Sequence, residues 1–300
     1  MRIAWSELYC HPLPEGHRFP MDKYSLIPSQ LLHQGIVRED QFFSPALAAV
    51  QTLLLTHGEE YVHAVLSLQL EPRAMRKIGF PLSQQLADRE RIITQGTIEC
   101  ALAALKEGAA MNVAGGTHHA YKNSGEGFCL FNDFAVSANY LFHHEKIKKI
   151  AVIDLDVHQG NGTAAIFQND PRVYTFSIHG KDNYPHHKEQ SDWDIPLRTG
   201  TQGEEYLQRL KEALPKIYAL AQPELVFFVS GVDVLAGDKL GKLSLTKAEC
   251  RERDRLVARF FAERNIPLVA AMGGGYAPQI ADIVDAHCAT FEEIQSAYFV

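Results

Sequence analysis

Cysteine is scarce in this 300-residue chain, with five in all, an odd number, and none in a CxxC pair. Cys10, Cys100, Cys129, Cys250 and Cys288 therefore supply neither a disulfide scaffold nor a thiolate zinc site, and they point to a reduced, intracellular (cytoplasmic) chain. Long apolar runs are also missing. The longest in the predicted sheet region, Leu225 to Val229, is far below the roughly 20 residues that span a bilayer, so no transmembrane segment is expected. Met1 to Pro12 holds one basic residue and no continuous apolar core, which argues against a secretory leader. No Ser/Gly/Pro-rich linker, charge block or repeat divides the sequence, which favours one domain over residues 1–300. Positive charge is the minority, 29 Lys+Arg against 36 Asp+Glu for a net −7. That balance argues against direct nucleic-acid binding and is compatible with a basic peptide partner.

What is present is a hydrophobic share of 46%, enough for a large core, and an alternation of strand and helix patterns. A first strand is predicted over Ile3 to Trp5, then a His- and Pro-rich loop from His11 to Pro20. A helical pattern follows from Asp22 towards Gly35, with Pro28 expected to break or kink it. Helical spacing recurs over Glu59 to Leu68 and Ser83 to Lys106. Strands are predicted at 109–114, 148–154, 172–178, 225–231 and 267–272, and helices at 133–144, 203–221, 246–264 and 277–297. Strands joined by crossover helices imply a three-layer α/β/α domain with a mainly parallel central sheet.

Chemistry concentrates at the predicted carboxyl ends of those strands. The apolar run ending at Ile153 leads into Asp154-Leu-Asp-Val-His-Gln-Gly-Asn-Gly-Thr163. In extended chain, residues two apart share a side, so Asp156 and His158 can converge on one ion. A polar loop after a core strand is the plain alternative. Asp233, after strand 225–231, supplies a second carboxylate, and three protein ligands leave a fourth position open, as in a catalytic zinc site. Gly115-Gly116-Thr117-His118-His119 places an acid/base pair at another strand end. His143-His144 and His186-His187 read as surface decoration. Gly273-Gly274-Gly275-Tyr276 turns the chain sharply and sets a phenol over a cleft. A two-metal, arginase-like hydrolase competes, but Leu235 stands where a bridging acid is needed.

Together with Gly127-Phe128-Cys129-Leu130-Phe131-Asn132-Asp133, Ser177-Ile178-His179 and Gly231 to Asp238, these segments resemble the zinc-dependent histone deacetylase family over roughly residues 110–280. The stretch from Asp233 to Gly241, followed by Leu243-Ser244, is most similar to the class IV branch and its bacterial relatives. The resemblance implies the arginase/deacetylase fold and removal of acyl groups from Nε-acyl-lysine. It implies one Zn²⁺ per chain on Asp156, His158 and Asp233, with His119 as general base then acid, His118 as its electrostatic partner, Asp154 orienting His118, and Tyr276 donating to the oxyanion. Asn161 stands behind His119, where class I members carry aspartate. It also implies a structural K⁺ held by oxygens of Asp154, Asp156, His158, Ser177 and Ile178, and a substrate tunnel of Gly127, Phe128, Tyr184, Leu240 and Gly274. The class IV-like stretch, with small residues at Gly115, Gly116 and Gly273 to Gly275, leads us to expect a long-chain acyl-lysine of a protein or peptide as substrate, and a monomer. An acetylpolyamine or other small acetyl-amine hydrolase, and a catalytically weak acyl-lysine-binding module, remain the alternatives.

Overall fold

Two apolar pentads decide the centre of the molecule. Ile150–Asp154 (β4) and Leu225–Val229 (β7) are buried at every residue, and they pair in parallel with Asp154 opposite Val229. Alternate residues along each strand enter different cores: Ala151, Ile153, Val226 and Phe228 face one, and Ile150, Val152, Leu225, Phe227 and Val229 the other. A strand buried on both faces has helices on both sides, as the three-layer expectation requires. Each such side chain stabilises the fold by roughly 1.5–3 kcal/mol.

The computed structural model, which describes residues 1–299, shows eight parallel strands: Arg2–Ala4 (β1), Phe42–Phe43 (β2), Ala109–Asn112 (β3), β4, Val173–Gly180 (β5), Trp193–Leu197 (β6), β7 and Leu268–Ala271 (β8). Residue 300, the last of the expected domain, lies outside the described residues. The order across the sheet is β2-β1-β3-β8-β7-β4-β5-β6. Register sets the strand ends level: Asn112 and Val229 each pair with Ala271, and Asp154 pairs with Val229 and Ser177. The loops that follow, at 115–119, 273–276, 230–233 and 155–158, therefore leave the sheet along one carboxyl edge, where open α/β folds bind ligands.

Helices form as the caps dictate. They are Lys23–His33 (α1), Val50–Leu53 (α2), Glu59–Leu66 (α3), Pro72–Ile78 (α4), Gln84–Glu107 (α5), Asp133–His143 (α6), Asn161–Phe167 (α7), Gly203–Ala221 (α8), Lys247–Ala262 (α9) and Ile280–Tyr298 (α10). Ser83 caps α5 by accepting from the Leu86 N–H, and a reciprocal Thr246/Glu249 capping box opens α9. Pro28 does not break α1, which runs through it. The Tyr24 carbonyl that loses its helical donor there accepts the Trp5 indole N–H at 2.8 Å instead. No described helix is long and apolar enough to cross a membrane.

Candidate active site and metal centre

Two buried carboxylates stand side by side at the edge shared by β4 and β7. Backbone donors aim them: Gly274 N–H reaches Asp156 Oδ2 at 2.7 Å, and Val157 N–H reaches Asp233 Oδ1 at 3.0 Å. Among the described residues, Asp233 Oδ2 has no hydrogen-bond donor other than the imidazole across the site. His158 Nδ1 lies 2.9 Å from Asp156 Oδ1 and 3.1 Å from Asp233 Oδ2, and one ligand atom from each residue falls within 4.8 Å of the others. Ligand atoms on a tetrahedral ion at about 2.0–2.1 Å stand roughly 3.3 Å apart, so this donor set fits a single small cation. Burial and the neighbouring Asp156 charge push the Asp233 carboxyl up to about 7. Burial alone would lower the His158 imidazole, but the two carboxylates hold it at about 10. The two carboxylates favour a positive charge at that point, which a divalent cation would supply. Among the described residues no second group of three such ligands meets. Leu235 is buried with the core.

The loop after β3 brings in the histidines. Asp133, the first residue of α6, accepts from Gly116 N (3.2 Å), Thr117 N (2.8 Å) and Thr117 Oγ1 (2.7 Å), which fixes the turn. His118 Nδ1 then lies 2.7 Å from Asp154 Oδ2, and His119 Nδ1 lies 2.6 Å from Asn161 Oδ1 at the start of α7. The two imidazoles are 4.1 Å apart between centroids. Burial would lower His118, yet the Asp154 carboxylate overrides it and raises the ring to about 9. His119 meets an amide, Asn161, where His118 meets a carboxylate. Burial and its two histidine neighbours hold it well below the usual imidazole range, so it stands neutral. Gly127, at φ +56°, passes so close that a Cβ there would meet His119 Cδ2 at 2.6 Å.

Tyr276 closes the opposite wall. Its N–H donates to Asp238 Oδ2 at 2.7 Å, while Asp238 Oδ1 accepts from Leu240 N and Gly241 N at 2.8 Å, tying the two loops together. Burial and the Asp233 and Asp156 charges keep the phenol well above its usual pKa, hence protonated. Outside the metal ligands a channel of about 290 Å³ opens to solvent, lined by Phe128, Tyr184, Leu240, His119, His158 and Tyr276. Arg18, Lys77 and His186 stand in its wall as well. His186 is exposed, as expected, and also borders the channel, and Arg18 and Lys77 come from segments that carry no chemical signal in sequence. Gly274 lines a smaller inner cavity of about 40 Å³ instead, together with Phe19, Tyr24, Arg89 and Ile93.

Of the glycines expected at the cleft floor, Gly115, Gly116, Gly273 and Gly274 do line the inner cavity, and the run also serves close packing. A Cβ at Gly115 would meet Asp133 Oδ2 at 2.4 Å, one at Gly274 would meet Asp233 Oδ2 at 2.0 Å, and one at Gly275 would meet Val232 Cγ2 at 2.6 Å. Ser177, opposite Asp154 in the sheet, has its hydroxyl bonded to His179 Nδ1 at 2.9 Å, and Ile178 follows it, fully buried.

The histone deacetylase domain pattern matches residues 17–291. An uncharacterized protein of Picosynechococcus sp. is 41% identical over 99% of both chains. Histone deacetylase 2 of Arabidopsis thaliana is 32% identical over 89% of this chain and 72% of its own length. Among solved structures, a histone deacetylase homologue from Aquifex aeolicus superposes with a TM-score of 0.82 at 25% identity, covering 98% of this chain and 84% of that one. In fold, in its matched span and in its curated relatives, the chain belongs to the histone deacetylase family of hydrolases.

Proposed function

We propose that this chain is a zinc-dependent amidohydrolase that removes acetyl and other short acyl groups from lysine side chains of proteins or peptides inside the cell. The observation that carries the reading is the meeting of Asp156, His158 and Asp233 with His119 and Tyr276 at the foot of a channel walled by Phe128 and Tyr184. Zn²⁺ on those three ligands supplies, when bound, polarisation of the amide carbonyl and a water whose pKa falls towards neutrality. His119, neutral and with Nδ1 committed to Asn161, takes the water's proton at Nε2. Tyr276, held protonated, donates to the oxyanion that develops at the carbonyl. His119 then returns its proton to the departing lysine amine, and His118 beside it keeps a positive charge over the site. A structural K⁺ near Asp154, Asp156, His158, Ser177 and Ile178 belongs to the same proposal, supported by the register that sets Asp154 beside Ser177.

Acyl length follows from the inner cavity. About 40 Å³ accommodates roughly three waters, which favours a two-carbon acyl group. The wall there includes the Arg89 guanidinium, a poor neighbour for methylenes and a good one for a carboxylate product. Among the described residues, the channel lining contains no Asp or Glu to pair the ammonium groups of a polyamine, and the Arg18 guanidinium in its wall disfavours them. On one peptide carrying acetyl-, octanoyl- or myristoyl-lysine, kcat/KM should fall steadily with chain length. A rise towards myristoyl would show that the inner cavity opens in solution and would restore the long-chain expectation.

A further inference from the structure

We propose that Glu126 is a positioning residue that sets the tautomer of His119 through the amide of Asn161. The inference rests on the proposed role of His119 as proton acceptor. That role requires the imidazole to carry its hydrogen on Nδ1, so that the Nε2 lone pair faces the reacting water. A carboxylate behind the ring would enforce this by itself, because it only accepts. Asn161 does not: an amide presents an oxygen or an NH₂ to the ring with nearly the same shape, and its neighbours decide which.

Those neighbours are one-sided. Asn161 Nδ2 lies 2.6 Å from Glu126 Oε1 and 2.9 Å from the Tyr121 hydroxyl. The Tyr121 proton is committed to Glu189 Oε1 at 3.1 Å, so that hydroxyl offers Asn161 a lone pair. Glu126 is buried, 3% exposed, and its second oxygen is engaged by the Lys77 ammonium, whose side chain reaches the channel mouth. Both groups on this side accept, so the Asn161 NH₂ must point to them and Oδ1 must point to His119 Nδ1, 2.6 Å away. Polarity therefore runs from Lys77 and Glu126 through Asn161 to His119. The acceptor-only character absent at position 161 is supplied one side chain farther out. Glutamine at position 126 cannot do the same. It has one acceptor oxygen for two claimants, Lys77 and Asn161, and its NH₂ would face the Asn161 NH₂.

The test is a cycle of Glu126→Gln, Asn161→Asp and the double variant, read by kcat on an acetyl-lysine peptide and by ¹⁵N NMR of the His119 imidazole. The parent should show the neutral Nδ1–H form. Glu126→Gln should lower kcat by about 10–100-fold with KM little changed, in line with losses at groups that orient an active-site ligand, and should shift the ring towards a tautomer mixture. Asn161→Asp alone should also lose activity, because two carboxylates then meet where one amide hydrogen bond stood. The double variant should recover both kcat and the Nδ1–H form, since a carboxylate at position 161 accepts from the ring without help from Glu126. Additive losses in the double variant, or an Nε2–H ring in the parent, would overturn the proposal. The NMR readout stands apart from turnover: a parent with the Nδ1–H ring but no activity on acyl-lysine would refute the enzymatic reading and leave the Glu126 relay intact.

Discussion

Asp233→Ala should lose both the metal and the reaction. The substitution removes one of three ligands and leaves Asp156 and His158 alone at the edge of β4. The parent, stripped and reloaded, should hold one zinc per chain, and the variant well under one by metal analysis. Loss of several kcal/mol of charge stabilisation corresponds to a fall in kcat on the order of 10³–10⁴-fold. The fold should survive, because the change removes a buried carboxylate from beside another one. Thermal unfolding separates the two effects. Saturating zinc should raise the parent's Tm, since it binds the folded state, while the variant's Tm should not move. Stoichiometric zinc or parental turnover in Asp233→Ala would remove the ligand assignment.

His119→Ala acts later in the reaction and should leave zinc content intact. Without the neutral imidazole at the foot of the channel, proton transfer to and from the substrate fails, and kcat should drop by about 10²–10⁴-fold. Tyr276→Phe removes a hydrogen-bond donor rather than a proton carrier and should cost less, on the order of 10²–10³-fold. His118 gives the contrast. Its ring is held charged by Asp154 at 2.7 Å and cannot accept the proton in place of its neighbour. Near-parental turnover in His119→Ala would mean that another group accepts the proton.

The meeting of Asp156, His158 and Asp233 was legible in the sequence because its logic is local. Asp156 and His158 are two apart just past a strand end, Asp233 lies in the loop after another apolar strand, and register brings the ends level. Buried central strands were equally legible, as β4 and β7 are uniformly apolar up to the closing aspartate of β4. Both strands that went unread, β2 and β6, are the sheet's edges. β2 spans only Phe42–Phe43, and β6 contains Pro196, which weakens any strand pattern and is tolerated where one side carries no ladder. The short helix α7 was hidden inside the motif it begins. Groups that hold the site rather than compose it were also out of reach. Asp133, Asp238 and Glu126 act on partners 16, 38 and 35 residues away, and no spacing rule connects such positions. The glycine runs were recognised as lining the cleft floor, and the geometry adds a second reason for them, close backbone approach.

Zinc titration of the metal-stripped protein against an acetyl-lysine peptide, with the deacylated peptide and free acetate both quantified, bears most directly on the proposed activity. Product should appear in equal amounts of amine and acetate, rise with added zinc, and level off at one ion per chain. A peptide that remains acetylated across the whole titration, or hydrolysis that is indifferent to zinc, would contradict it.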